Sequence, residues 1–198
     1  MMSEEKAKED MLLWMDVETT GLDPDRDRIL EVELRCTDMR GVLCVGGFRR
    51  VIGLKGRKAS ITDGNLEAWR MHCANGLLEG ALDAGYTEAA TANALEEYVD
   101  SLAQSFILHP AGSNPQFDLD FIGRLCPNLP LHYHRIDMAT IRDSLEAAGW
   151  DVKPEEETPV ASAHRTGTCL DRDIRQYARI IRHLSAHPVR YVATKAAR

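Results

Sequence analysis

The chain has 198 residues, 44% of them apolar, and a formal net charge of −7. That length suits one domain with a substantial core, no apolar run is long enough to span a membrane, and the acidic balance disfavours tight, nonspecific binding to long duplex DNA. The Glu- and Lys-rich residues 1–10 resemble neither a secretory signal nor a transit peptide, and five scattered cysteines without a Cys-x-x-Cys pair read as free thiols, so the expected setting is intracellular and reducing, that is, cytoplasmic, with an organelle still possible.

Taken in order, residues 1–10 read as a flexible tail and residues 11–187 as the folded domain. Residues 12–15 form an apolar run, the mark of a buried strand, and Asp16 and Glu18 follow in that context. Residues 28–36 alternate: Leu30, Val32, Leu34 and Cys36 face one way, and Glu31, Glu33 and Arg35 the other, as in a half-buried antiparallel strand with a solvated face. Residues 42–52 extend this to a meander of three strands, and residues 53–65 read as a loop. Residues 66–78 suggest one or two short helices around Trp69 and His72. A helix is predicted over 91–104 from Leu95, Tyr98, Val99 and Leu102, followed by a strand at 106–108. Residues 114–125 read as a turn into a helix, 133–137 as a short strand, and 139–148 as a helix closed by Gly149. Residues 150–163 are irregular. A last helix is predicted over 171–186, with Thr168 and Asp171 at capping-box-like spacing, and residues 188–198 form a second tail. The pattern predicts an α/β fold, a mixed sheet with helices on its faces.

Alternate residues of a strand share a face, so Asp16 and Glu18 stand side by side. Two acids on a buried strand repel each other and are costly to desolvate, and a divalent cation would offset that cost. The plainer alternative is that the strand ends at Met15 and both acids are solvated. Gly21 and the Asp23-Pro24 dipeptide favour a tight turn beside a ligand. Asp118 lies between Phe117 and Phe121 at a strand-to-helix junction, where it is either a site residue or a helix cap. Asp120 should point outward. His164 is set apart from the other six histidines, His72, His109, His132, His134, His183 and His187, by its place in a loop just before a helix that opens with Asp171 and Asp173.

These residues carry a resemblance. The stretch Trp14-Met15-Asp16-Val17-Glu18-Thr19-Thr20-Gly21-Leu22-Asp23-Pro24, continuing to Asp27-Arg28-Ile29, resembles the first motif of the oligoribonucleases. These belong to the DEDDh branch of the ribonuclease H-like 3′-to-5′ exonucleases. Trp69-Arg70-Met71-His72 with Gly76-Leu77-Leu78-Glu79, and residues 132–141, resemble later segments of that family. The resemblance implies a mixed five-stranded, ribonuclease H-like sheet flanked by helices. It implies metal ligands at Asp16, Glu18, Asp118 and an aspartate of the last helix, and a general base at His164. Leu22 would wedge against the terminal bases and His72 would touch the phosphate end of the substrate, with Thr19, Gly21 and Asn114 completing the substrate-binding set. Two Mg2+ or Mn2+ ions, short single-stranded RNA (possibly DNA) as substrate, and a homodimer are implied as well.

The chain also departs from the family. Asn114-Pro115-Gln116-Phe117-Asp118 has the generic DEDDh form, Thr19 replaces a usual Met, and Arg135 replaces a usual aromatic. The family sets its histidine five residues before the last aspartate, whereas His164 and Asp173 are nine apart. Asp173 is preferred over Asp171 because the residues after it match better, with residues 166–169 looped out as a small insertion. The competing readings are a broader exonuclease acting on longer DNA or RNA 3′ ends, and a catalytically weak relative that binds nucleic acid or protein.

Overall fold

A computed structural model describes residues 7–42, 46–54, 65–151 and 164–187. Five strands form one mixed sheet in the order β3-β2-β1-β4-β5. They are β1 (Glu9–Thr19), β2 (Ile29–Asp38), β3 (Phe48–Val51), β4 (Phe106–Gly112) and β5 (Ile136–Asp137). The helices are α1 (Leu66–Ala74), α2 (Leu77–Asp83), α3 (Glu88–Ala103), α4 (Pro115–Leu125), α5 (Met138–Ala147) and α6 (Thr166–Ala186). β1 is central, antiparallel to β2 and parallel to β4. The five-stranded sheet and its flanking helices follow the expectation.

β1 is apolar without alternation because helices cover both of its faces. Met11, Leu13, Met15 and Val17 pack with Leu95 and Val99 of α3 and with Phe121 and Ile122 of α4. Leu12 and Trp14 pack on the other face with Met138 of α5 and with Leu170, Tyr177 and Ile180 of α6. Trp14 is fully buried; its indole N–H donates to Thr37 Oγ1 at 2.9 Å, and its ring meets Tyr177 edge-on at 5.3 Å. The strand also starts earlier than expected, since Glu9 and Asp10 pair with Phe106 and Ile107. At the third strand, residues 43–45 lie outside the described residues, as do residues 55–64 of the expected loop, residues 152–163 and the tail 188–198. The strand expected over 133–137 shrinks to Ile136–Asp137.

β2 corrects one expectation. Its charged face is covered by α6, and Glu31 and Glu33 are buried. Arg165 donates to both Glu31 oxygens (Nε–Oε2 2.8 Å, Nη2–Oε1 2.9 Å), and Arg49 of β3 donates twice to Oε1, at 2.9 and 2.7 Å. Glu33 accepts from Arg35 Nε at 2.7 Å and from Thr166 Oγ1 at 2.8 Å. Burial alone would push the Glu31 carboxyl up, but the hydrogen bonds from Arg165 and Arg49 outweigh it and hold the pKa below the usual range.

The same network explains where α6 begins. The helix starts at Thr166, five residues before the expected 171, and its N-cap Arg165 makes no side-chain cap. Thr168 and Asp171 are therefore interior residues and do not form a capping box. The cap is supplied from β2: Thr166 N donates to Glu31 Oε2 at 3.4 Å, and the two buried carboxylates lie at the positive end of the helix dipole. Gly167 passes close to this cluster, since a Cβ there would lie 3.4 Å from Arg49 Nη1 and from Glu33 Oε2.

Arg165→Met should therefore destabilise the fold by about 3 kcal/mol, because it strands a buried carboxylate that Arg49 only partly neutralises. Arg28→Met, which removes the exposed pair with Glu88, should cost about 0–1 kcal/mol. Urea denaturation of the two variants checks the contrast.

Candidate metal centre

The register of β1 on β2 sets Asp16 opposite Glu33 and Glu18 opposite Glu31. Four carboxylates thus share the face covered by α6. The β2 pair has its arginines, but the β1 pair meets a different surface. One carboxylate oxygen each from Asp16 and Glu18, and the thiol of Cys169 on α6, lie within 4.8 Å of one another. Asp16 Oδ2 is buried and has no hydrogen-bond partner.

Asp118 joins them from the other side of the sheet. β1 continues past its last pair with β4, Trp14–Ala111. The chain then turns away at Gly112, where a Cβ would lie 2.8 Å from the Met15 carbonyl oxygen. This close passage starts α4 beside the end of β1. Asn114 caps that helix with a left-handed backbone (φ 57°), and its N–H donates to Asp137 Oδ1 at 3.0 Å. Buried Asp118 then accepts the Val17 N–H at 2.9 Å, which ties the start of α4 to β1.

Each of these carboxyls is held toward its protonated form. Burial is the main cause for Asp16, whose pKa is raised well above the usual value, with Asp118, Glu18 and Asp173 adding repulsion against the pull of Arg172. Burial and then Glu31 push Glu18 up to about 8, and burial lifts Asp118 to about 7 against the Val17 hydrogen bond. Burial, then Asp16, raises the Cys169 thiol to about 12. An orphaned carboxylate oxygen among crowded acids is a donor set that fits a divalent cation.

The last helix departs from the sequence-based expectation. Residues 166–169 do not loop out; they form the first turn of α6. Asp173 is buried one turn beyond Cys169, and its oxygens are already engaged. Oδ1 receives Arg172 Nε at 2.9 Å and Arg142 Nη1 at 3.3 Å, while Oδ2 accepts from Ser113 Oγ at 2.7 Å. Asp173 lies near enough to Asp16 and Asp118 to add to their repulsion, but its oxygens are held by Arg172, Arg142 and Ser113. Asp171 pairs with Arg35, which draws it toward β2. Cys169 was the residue missed, and its signal was present: it stands five residues after His164, the spacing the family uses.

His164 is exposed and has a left-handed backbone (φ 56°), with its carbonyl accepting from Asn75 Nδ2 at 2.7 Å. A non-glycine residue in that region is uncommon and clusters at functional sites. It lies close enough to His72 to bear on that ring's charge. His72 is buried, and its Nε2–H donates to the Thr19 carbonyl at 2.9 Å, leaving Nδ1 as a buried acceptor without a partner. Burial chiefly, and His164 in addition, lower its pKa, so the ring is neutral. His72 thus braces Thr19 from inside and does not offer an exposed cation to a phosphate. Thr19 Oγ1 donates to the Gly21 carbonyl at 2.5 Å. A Cβ on Gly21 would lie 2.3 Å from Asp27 Oδ2. Asp27 also accepts the Asp23 N–H at 2.9 Å and the Thr20 hydroxyl at 3.2 Å, which closes the turn and leaves Leu22 73% exposed. Asp120 is exposed, as expected.

No family model matches the chain. It is similar to the oligoribonuclease of Alkalilimnicola ehrlichii, with 31% identity over 93% of both chains. It is 32% identical to that of Sodalis glossinidius over 90% of this chain and 96% of that one, and 32% identical to that of Escherichia coli K12 over 75% and 80%. Among solved structures, E. coli Exonuclease I in complex with a dT13 oligonucleotide superposes with a TM-score of 0.64 at 15% identity. The match covers 91% of this chain but only 44% of the exonuclease. S. pombe Pop2p in its Mg2+- and Mn2+-bound form gives a TM-score of 0.57 at 14% identity, over 89% and 83%. At these identities the structures establish a shared fold.

The raised carboxyls predict an unusual stability profile. Where a folded-state pKa lies above the unfolded one, the folded state binds more protons between the two values, and stability falls as pH rises through that window. The metal-free protein should lose Tm between about pH 5 and about pH 8. Mg2+ or Mn2+ should flatten the slope, and Glu18→Gln should reduce it. Differential scanning fluorimetry across pH, with and without ion, checks this.

Proposed function

Because the chain belongs to the oligoribonuclease family, shown by 31–32% identity over most of the length of its relatives, we propose that it is a 3′-to-5′ exoribonuclease that releases nucleoside 5′-monophosphates from short single-stranded RNA. The observation that carries the reading is the unpartnered Asp16 Oδ2 beside Glu18 and the start of α6, with Asp118 near enough to repel it.

In this reading Asp16, Glu18 and Asp118 hold Mg2+ or Mn2+, two ions at full occupancy. A divalent cation held by these carboxylates would acidify water and offset negative charge on a phosphodiester. His164 takes the proton from the attacking water, and its exposed place on a constrained backbone leaves it open to a substrate. The closed turn from Thr19 to Asp27 presents Leu22 as an apolar surface for a terminal base, which gives affinity without base selection. His72 acts through Thr19 and keeps the end of β1 in register with that turn. Asn114 fixes the approach of α4, and therefore of Asp118.

Asp173, buried with Arg142, Arg172 and Ser113, is a positioning residue here. It ties α6 to α5 and to the loop after β4. A second reading, an exonuclease for longer DNA or RNA 3′ ends, draws on the generic motif around Asp118.

RNA dinucleotides and RNA and DNA oligonucleotides of about 20 nucleotides separate the two readings. With Mn2+ present, the dinucleotide should be cleaved fastest, and Asp16→Ala should cleave nothing. Faster cleavage of the longer strands would favour the second reading. His164→Ala should lose about a hundredfold or more in kcat, while His134→Ala stays near wild type.

A further inference from the structure

Cys169 stands five residues after His164, and its thiol faces Asp16 and Glu18. Among the described residues, Asp16, Glu18 and Cys169 form the one group of three His, Cys, Asp or Glu side chains close enough to share an ion. Two features keep this from being an accident of a buried thiol. The Asp16 oxygen in the same cluster is buried without a hydrogen-bond partner, which suits it to a cation. The other candidate acid on the helix, Asp173, is hydrogen-bonded by two arginines and a serine.

We infer that Cys169 is itself a metal ligand, supplied from the helix where a carboxylate is expected, and that it biases the centre toward thiophilic divalent cations over Mg2+. The inference rests on the metal-centre reading above. Its chemistry follows from ligand hardness. Carboxylate oxygens suit Mg2+ and Mn2+, whereas a thiolate favours softer ions such as Zn2+ or Cd2+. Binding exchanges the thiol proton for the ion, and the proton leaves to solvent. The helix that carries the thiol is clamped to β2 through Glu31, Glu33, Arg165 and Thr166, so Sγ is held at the acids without being carried on a free loop.

Cd2+ is the probe. Titrating the full chain should give a thiolate-to-cadmium charge-transfer band in the ultraviolet, with calorimetry counting the bound ions. Cys169→Ser should abolish the band, and Cys73→Ser, which alters an exposed thiol, should keep it. Cys169→Asp should narrow the preference for Cd2+ over Mg2+ by about tenfold or more. Cd2+ binding with an undiminished band in Cys169→Ser would overturn the inference and leave the carboxylate centre intact. Loss of ion binding in Asp173→Asn but not in Cys169→Ser would overturn it in favour of Asp173. Failure of the wild-type protein to bind any divalent ion would overturn the metal-centre reading and this inference with it.

Discussion

Four carboxylates on one buried sheet face are the constraint on which the rest of the molecule depends. Asp16 stands opposite Glu33 and Glu18 opposite Glu31, so the register of β1 on β2 stacks like charges where water is excluded. Cross-strand like charges are destabilising even on exposed sheets, and burial raises the cost. The protein offsets that cost in two ways. On β2 it supplies arginines and a threonine hydroxyl, and Glu31 stays ionised. On β1 the pull of Arg172 on Asp16 and of Arg165 on Glu18 is outweighed by burial and neighbouring acids, and both are driven toward protonation. A strand that satisfies one acid pair and leaves its neighbour unsatisfied has set the second pair aside for a positive ligand.

α6 converts this division into a site. Its first turn is held by the carboxylates of β2, which take the place of an ordinary N-cap. That anchoring fixes the rotation of the helix, so Cys169 faces the acids of β1, and Asp173, one turn later, faces Arg142 and Ser113. On the far side, α4 can reach the end of β1 because Gly112 lets the backbone pass over Met15. Asp118 then replaces the strand partner that β1 has lost. A single strand end therefore gathers groups from two helices that lie on opposite faces of the sheet.

Much of this was readable along the chain. The apolar run before Asp16, the alternation in β2 and the stripe on α3 each follow from the local period of hydrophobic residues. The link to the family rested on the stretch from Trp14 to Ile29, and identity over most of the chain now supports it. The start of α6 was misread because its cap comes from Glu31, which no local pattern reveals. The alternation in β2 predicts a solvated face for Glu31 and Glu33, yet they are buried, because alternation does not say whether a polar face meets water or a helix. The spacing from His164 to Cys169 is visible in the sequence, but a thiol in place of a carboxylate gives no local sign that it faces two acids.

The sequence by itself determined which segments are strands and helices, and that acids interrupt a buried strand, because both are set by neighbours a few residues away. Only the tertiary structure decided which acids are neutralised from within and which are left for a cation. That outcome depends on Arg165 reaching Glu31 and Thr166 reaching Glu33, across separations of 134 and 133 residues. Charge pairing over such distances is a property of the packed sheet and helix and has no trace in local composition.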